Sequence, residues 1–477
     1  MSYLYPDLDD EHRLAGLGHS GFILHIIPDF LLQLQPMTDI TERLTRFTTP
    51  EQRELIHLIA REANRLGMHA YLVGGFVRDL LLGRMVNDFD IVVVGNAITL
   101  CRSLVKKYGG RLTPHILFKT ATWFLPETFA GHPRVWDLTS ARLETYARPA
   151  ALPTVTLGTL HDDLRRRDFT INAMALCLDS DCFGVLIDPL GGRADLEHGL
   201  IRVIHPRSFI DDPTRLFRAV RYAVRYGFRL APETAALIPD ALPYVDDLSP
   251  ERLRHELDLI FEEGQPTRIL ERLFALGILQ SIYPPLPSSK ADLARLRRIR
   301  FPSQATSSSE TPDLPLHEAR WIAWLMALPT KEIRAIARRL HFTADLKKKV
   351  LAASSIFHNL DAMGGWTPSL CTAWLEGFPD QAIQVVSLCL PAVKARDCLK
   401  NYLEQWKTVR PLTNGETLKA LGLPPGPLYK EWLWQLRAAW LDGAISTAAE
   451  EEMLLHKLIE ERRQKHGDTN DLQSERM

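Results

Sequence analysis

Residues 72–95 read LVGGFVRDLLLGRMVNDFDIVVVG, and this stretch decides the fold. An apolar run leads into Gly74 and Gly75, which predicts a strand, a tight turn and then a helix from Phe76. A second strand is predicted from Asp88 onward, because a β-branched apolar run follows. Glycines at such a turn let the backbone approach a phosphate, and the N–H groups at the helix start offer hydrogen bonds to it.

The second strand carries two carboxylates. Asp88 and Asp90 are two residues apart, so both point to one face of the strand while Phe89 points to the other. Neighbouring carboxylates repel each other unless a cation lies between them, and hard oxygen ligands of this kind suit Mg²⁺. Arg78 lies on the first turn of the helix, within reach of an anion held by the glycine turn. The stretch therefore predicts nucleoside triphosphate chemistry at a magnesium site.

A second stretch, residues 165–176, reads RRRDFTINAMAL. Guanidinium groups bind phosphate oxygens, and a carboxylate accepts hydrogen bonds from sugar hydroxyls. Arg167 and Asp168 are therefore candidates for contacting the triphosphate and the ribose. Taken alone, such a cluster would more often be a surface salt bridge, and its position after the first stretch favours the nucleotide.

A third stretch, residues 211–228, reads DDPTRLFRAVRYAVRYGF. Pro213 is typical of a helix start, and the spacing of Asp212 and Arg215 predicts that they share one helix face, which Arg218 and Arg221 continue. The alternative is an amphipathic helix with a solvated arginine face.

The Asp212 and Arg215 pair could select nucleobases. A carboxylate accepts from an exocyclic amino group, and a guanidinium donates to a ring nitrogen or carbonyl. Cytosine and adenine each present an amino group beside a ring acceptor, whereas guanine and uracil present a carbonyl beside a ring N–H. A wrong base would leave buried polar groups unpaired, so the pair would accept C and A and reject G and U.

Composition limits the classes of protein that the chain could be. Its 477 residues predict two to four domains, and the net charge of −1 means that any RNA must bind to local basic patches. Six cysteines without a CxxC pair argue against a zinc site or a disulfide framework, and favour reduced thiols in a cytoplasmic protein. The acidic N-terminus does not resemble a signal peptide, and no run is apolar enough to cross a membrane.

The pattern along the chain changes at about residue 195. Before it short strands and helices alternate, and after it helical patterns dominate, which predicts an α+β head followed by helices. We expect an N-terminal extension, a catalytic head, a helical neck that reads the base, a helical body and a helical tail that binds tRNA. Their predicted bounds are 1–50, 51–187, 188–262, 263–410 and 411–477.

The three stretches resemble the motifs of the tRNA nucleotidyltransferase and poly(A) polymerase family, in the class that contains bacterial CCA-adding enzymes. The resemblance implies a small polymerase-β-like head with a mixed sheet, in which Asp88 and Asp90 hold two metal ions. One ion would activate the RNA 3′-hydroxyl and the other would bind the triphosphate. A third carboxylate is common on a neighbouring strand of this family, and Asp137 is our candidate for it.

The resemblance also assigns roles outside the metal site. Arg167 and Asp168 match the motif that recognises ribonucleotides, and Arg218 and Arg221 match residues that bind the nucleotide phosphates. The third stretch departs from the family's glutamate-aspartate-x-x-arginine motif, because Asp211 replaces the glutamate.

The function implied is template-independent addition of C and A, from CTP and ATP, to the tRNA 3′ end, with contacts along the acceptor arm. Residues 112–122, LTPHILFKTAT, are not basic, which favours a tRNA enzyme over a poly(A) polymerase. An enzyme that adds only A or only CC stays open. An inactive RNA-binding relative would lack a metal aspartate, and both are present. No adjacent His-Asp pair occurs at residues 320–328, so we expect no phosphohydrolase activity.

Overall fold

A computed structural model of the 477-residue chain describes residues 37–85, 89–127, 129, 134–299, 314–391 and 394–474. These residues form two compact units. The head unit comprises the described residues up to 147 together with 153–205, and the helical unit comprises 148–152 together with those from 206 onward. A unit with a mixed sheet and a unit built of helices confirm the predicted fold class.

The head unit is organised around a seven-stranded sheet of order β3-β4-β5-β2-β1-β8-β9. Strands β2 and β5 run parallel, and the other neighbouring strands are antiparallel. A separate hairpin pairs β6 with β7. The strands are β1 His69–Val73, β2 Asp90–Val94, β3 Arg111–His115, β4 Thr120–Phe124, β5 Val135–Ser140, β6 Arg142–Thr145, β7 Thr154–Leu157, β8 Ala175–Cys177, β9 Leu186–Ile187 and β10 Leu200–Ile201.

Six α-helices belong to the described part of the head unit. They are α1 Met37–Phe47, α2 Pro50–Arg65, α3 Gly75–Leu81, α4 Ala97–Tyr108, α5 Leu160–Arg165 and α6 Gly192–Glu197. Three of them, α2, α3 and α4, pack against this sheet, with α2 on β1 and α4 on β4 and β5. Helix α2 begins at Pro50 after Thr49, whose hydroxyl accepts from the Gln52 N–H while the Gln52 side chain accepts from the Thr49 N–H.

The helical unit contains the remaining helices and one short strand. These are α7 Ser208–Asp211, α8 Thr214–Tyr226, β11 Arg229–Leu230, α9 Pro232–Ala236, α10 Ile238–Ala241, α11 Pro250–Phe261, α12 Pro266–Ala275, α13 Ile278–Ile282, α14 Lys290–Leu296, α15 Leu316–Leu325, α16 Thr330–Arg339, α17 Ala344–His358, α18 Leu360–Met363, α19 Pro368–Leu375, α20 Asp380–Cys389, α21 Lys394–Glu404, α22 Gly415–Ala420, α23 Pro427–Leu441 and α24 Ala448–Ser474.

Aromatic packing joins α11 to α15 inside the helical unit. Phe261, Trp321 and Trp324 are fully buried, and the Phe261 ring lies 4.7 Å from the Trp321 ring and 5.5 Å from the Trp324 ring, between centroids. Burial of such large side chains is a main source of stability for a helical core. A smaller cluster, which includes Leu418 and Leu436, joins the last three helices.

Local predictions agree with the structure in most places. Strand β1 ends at Val73, directly before the predicted glycine turn, and α3 begins at Gly75, one residue before the predicted start. The second strand begins at Asp90 rather than at Asp88, since Phe89 precedes it, and residues 86–88 lie outside the described residues. Part of the predicted extension forms α1, while residues 1–36 also lie outside the described residues.

The prediction of reduced cysteines is wrong for four of the six. Disulfide bonds join Cys177 to Cys182 and Cys371 to Cys398. The second pair is 27 residues apart in the sequence and meets only through helix packing. Neither pair forms a CxxC pattern, so the spacing of the cysteines did not predict the bonds. Cys101 and Cys389 are buried thiols, and burial raises the pKa of each to about 12.

Within the described part of the chain, no helix is both long enough and apolar enough to cross a bilayer.

Candidate active site

The turn between β1 and α3 brings two predicted site residues together. Gly74 has a φ of +67°, which an L side chain rarely adopts. A Cβ built there would lie 2.5 Å from Arg167 Nη1 and 3.7 Å from Asp90 Oδ2. The positive φ favours glycine here, and a side chain would displace the Arg167 guanidinium, which lies against the Gly74 backbone together with the Asp90 carboxylate. Gly75 lies in turn beside Arg78, whose Nη2 would be 3.4 Å from a Cβ at that position.

Two carboxylates lie side by side on parallel strands. Asp90 on β2 is the register partner of Asp137 on β5. Register partners on adjacent strands are about 4.8 Å apart and point to the same face. Asp137 is exposed, and its Oδ1 accepts a hydrogen bond of 2.6 Å from the Thr122 hydroxyl on β4. Asp88, the other predicted metal ligand, lies outside the described residues.

A buried carboxylate holds the arginines of the second motif. Asp163 on α5 has no exposed surface, and its two oxygens bind Arg166 Nη2 at 2.7 Å and Arg167 Nη2 at 2.9 Å. Burial alone would raise the pKa of Asp163, but the guanidiniums of Arg167 and Arg166 outweigh it and lower that pKa. The sequence carried this signal, because the two arginines follow Asp163 at helical spacings of three and four. Our sequence reasoning missed it.

An asparagine that sequence reasoning also missed connects the two head motifs. Arg78 is buried, and its Nη1 donates to Asn172 Oδ1 at 2.6 Å. The same amide donates from Nδ2 to Asp168 Oδ1 at 2.9 Å. Asp168 Oδ1 also accepts from the N–H of Phe169. The only hint in the sequence is an asparagine within the apolar run TINAMAL.

In the helical unit, Asp212 precedes α8 rather than lying on its face. Its backbone is extended, and its Oδ1 accepts from the N–H and hydroxyl of Thr214 at 3.1 and 2.7 Å. Arg252 on α11 donates to the same oxygen at 2.6 Å, a partner that the sequence did not suggest. The prediction of a shared helix face is therefore wrong for Asp212, because Asp212 lies before α8 and its carboxylate contacts Thr214 at the start of the helix.

The three arginines of α8 differ in their surroundings. Arg215 is buried, with its Nη1 donating to the Ser208 hydroxyl at 2.7 Å. Arg218 is half-buried and donates to the Tyr222 hydroxyl at 3.1 Å. Arg221 is buried at 4.0 Å from Glu256 and 3.9 Å from Glu263, and among the described atoms its Nε has no hydrogen-bond partner. Burial raises the pKa of Glu256, which Arg221 and Arg218 only partly offset.

Comparison with known proteins assigns these motifs to a family. The model of the poly(A) polymerase head domain matches residues 70–202, and that of the probable RNA- and SrmB-binding site of polymerase A matches residues 227–289. The chain is 33% identical over 420 residues to the A-adding tRNA nucleotidyltransferase of Halalkalibacterium halodurans, covering 85% of this chain and 92% of that protein. The chain belongs to the tRNA nucleotidyltransferase and poly(A) polymerase family.

Other members of this family are similarly related. The CC-adding tRNA nucleotidyltransferase of Deinococcus radiodurans is 34% identical over 413 residues, covering 86% of this chain and 94% of that protein. The structure of the Thermotoga maritima CCA-adding enzyme complexed with tRNA is 28% identical, with a TM-score of 0.69 over 88% of this chain and 98% of that one. The family predicted from the three motifs is thus confirmed. Relatives that add different nucleotides have similar sequence identities to this chain, 33% for the A-adding enzyme and 34% for the CC-adding enzyme.

The Gly74 turn leads to a prediction. In Gly74→Ala the new methyl group would displace the Arg167 guanidinium, so we expect affinity for a nucleoside triphosphate to fall about tenfold or more, as for loss of one charged contact. Gly67→Ala is the matched control, because Gly67 has a φ of +70° and no heavy atom within 4 Å of its Cβ position.

Both variants should lose about 1 kcal/mol or more of folding free energy, since both place alanine at a positive φ. Equilibrium titration with CTP and thermal unfolding separate the two effects. Equal affinities of the two variants for CTP would show that the Gly74 turn does not contact the nucleotide.

Proposed function

We propose that this protein adds C and A nucleotides to the 3′ end of tRNA without a nucleic-acid template. The observation that carries the proposal is the meeting of Asp90 and Arg167 at the Gly74 backbone, with Asp137 in register beside Asp90. Carboxylates beside a guanidinium and a glycine turn suit a metal-bound triphosphate. Relatives that add A, CC or CCA support tRNA as the acceptor.

The donor set of the head fits Mg²⁺. Asp90 and Asp137 offer hard oxygen ligands from adjacent strands, and Asp88 precedes Asp90 by two residues. Two such ions would lower the pKa of the RNA 3′-hydroxyl and stabilise the leaving pyrophosphate. The three carboxylates would hold the ions, and the Thr122 hydroxyl orients Asp137 by donating to its Oδ1.

Other side chains of the head would bind the nucleotide itself. Arg167, held by Asp163 against the Gly74 turn, would contact the triphosphate, and Arg78 lies beside Gly75 in the same region. Asp168 would accept hydrogen bonds from the ribose hydroxyls. Because these groups are fixed before the nucleotide arrives, little reorganisation is needed on binding.

Residues of the helical unit would choose the base. Asp212 Oδ1 accepts from Thr214 and Arg252, and Oδ2 would accept from the amino group of the base. Arg215 is held by Ser208 and would donate to the ring acceptor beside that amino group. Arg218 and Arg221 would contribute positive charge near the phosphates. We assign catalysis to residues 51–187, base recognition to 188–262 and tRNA binding to the tail from residue 411, with 263–410 as the body between them.

Two related activities are the alternatives. A-adding and CC-adding relatives are 33% and 34% identical to this chain, so partial addition is the closer alternative. Poly(A) polymerase activity is the second, because the head-domain model that matches is named for that enzyme. An inactive RNA-binding relative is a remote third.

Three tRNA substrates separate these activities. We give the protein with Mg²⁺ a tRNA that ends before the first C, after one C or after both, together with labelled CTP and ATP. Full CCA addition extends all three to the same end, whereas an A-adding enzyme extends only the last and a CC-adding enzyme stops before A. A long ladder of A on unrelated RNA would overturn the tRNA assignment.

Removing a metal ligand should stop the reaction. In Asp88→Ala or Asp90→Ala we expect incorporation to fall by roughly a hundredfold to a thousandfold, while tRNA binding in a gel-shift assay is retained. Asp181→Ala removes an exposed carboxylate of the same unit and serves as the control. Incorporation close to the wild-type rate in either variant would refute the metal assignment.

Removing a base-reading residue should change selectivity rather than activity. In Asp212→Ala or Arg215→Ala we expect discrimination against GTP and UTP to fall about tenfold or more, because the wrong base no longer leaves a buried group unpaired. Arg229→Ala, which removes an exposed arginine of the same unit, should leave discrimination unchanged. If the selectivity of all three variants equals that of the wild type, the base is read elsewhere.

A further inference from the structure

The amide of Asn172 lies at the centre of the nucleotide-binding residues of the head. Its side chain is 5% exposed and bridges Arg78, on the helix after the glycine turn, and Asp168 in the second motif. Its backbone carbonyl accepts from Arg167 Nη1 at 3.5 Å. One residue thus contacts three predicted nucleotide-binding residues, which come from segments about 90 positions apart in the sequence.

Only an amide of this size satisfies both neighbours. Asn172 Oδ1 accepts from a guanidinium, while Nδ2 donates to a carboxylate. An aspartate at this position would place two carboxylates against each other, and an apolar residue would leave buried charged groups without these bonds. Burial makes the arrangement more demanding, because water does not compensate for a lost bond.

The backbone around Asn172 ties it to the glycine turn. Asn172 ends a short 3-10 turn, Thr170–Asn172, and β8 begins three residues later at Ala175. Between them the Met174 carbonyl accepts from the Gly74 N–H at 3.3 Å. A shift of this segment would therefore move both Asp168 and the turn against which Arg167 lies.

We propose that Asn172 is a positioning residue that aligns Asp168 with the ribose and Arg78 with the glycine turn, and so sets the preference for ribonucleotides. The proposal rests on the proposed function, because Asp168 discriminates only if a ribonucleotide binds in the head. Asn172 does not touch the substrate and acts through these two side chains. Its loss should therefore weaken recognition of the ribose more than it weakens transfer.

The test compares Asn172→Asp and Asn172→Ala with wild type, using CTP and dCTP on a tRNA that ends before the first C. We expect the KM for CTP to rise and the ratio of kcat/KM between CTP and dCTP to fall about tenfold in Asn172→Asp, with a smaller fall in Asn172→Ala. Asn96→Asp is the control, because Asn96 is exposed and aspartate can keep its helix cap.

Several outcomes would overturn the proposal. Variants that fold, with the KM and the CTP to dCTP ratio of the wild type, would show that Asn172 aligns nothing. An equal loss of kcat with both nucleotides at unchanged KM would indicate a smaller active fraction and a purely structural role. If both Asn172 variants fail to fold while Asn96→Asp folds, Asn172 has a purely structural role. Wild-type protein that incorporates no nucleotide into tRNA would instead refute the proposed function.

Discussion

The absence of a side chain at Gly74 is the constraint on which the head depends. Arg167 reaches so close to the Gly74 backbone that a methyl group would lie 2.5 Å from its Nη1, and Asp90 lies beside them. The end of strand β1, the start of strand β2 and the second motif therefore lie next to one another at the Gly74 turn. Glycine adopts the positive φ of this turn at little cost. The backbone conformation of Gly74 therefore allows the Arg167 guanidinium to lie close to the Asp90 carboxylate.

Buried polar partners keep these charges in place. Asp163 has no exposed surface, and burying its charge without a partner would be costly. The guanidiniums of Arg166 and Arg167 neutralise that charge, and the carboxylate in turn holds both guanidiniums in place. Asn172 does the same for Arg78 and Asp168 with a neutral amide. The head thus presents a preorganised set of charges, and preorganisation of this kind is the main way in which proteins stabilise phosphoryl transfer.

The sequence predicted what depends on local pattern and missed what depends on contacts between distant segments. The order strand, glycine turn, helix, strand follows from periodicity, and the family resemblance singled out Asp137, which the structure places in register with Asp90. The bridge from Asn172 to Arg78 and the pairing of Arg252 with Asp212 join residues 94 and 40 positions apart, which one sequence does not reveal. The prediction that Asp212 shares a helix face failed for a local reason, since α8 begins only at Thr214 and Asp212 precedes it in extended backbone.

Diffraction from crystals grown with CTP, with Mn²⁺ in place of Mg²⁺, tests the central claim most directly, because the anomalous signal of Mn²⁺ locates the metal independently. We expect anomalous peaks at the carboxylates of Asp90 and Asp137 and a triphosphate that lies against Gly74 and Arg167. A well-ordered CTP whose triphosphate lies away from the Gly74 turn, or metal peaks distant from both aspartates, would contradict it.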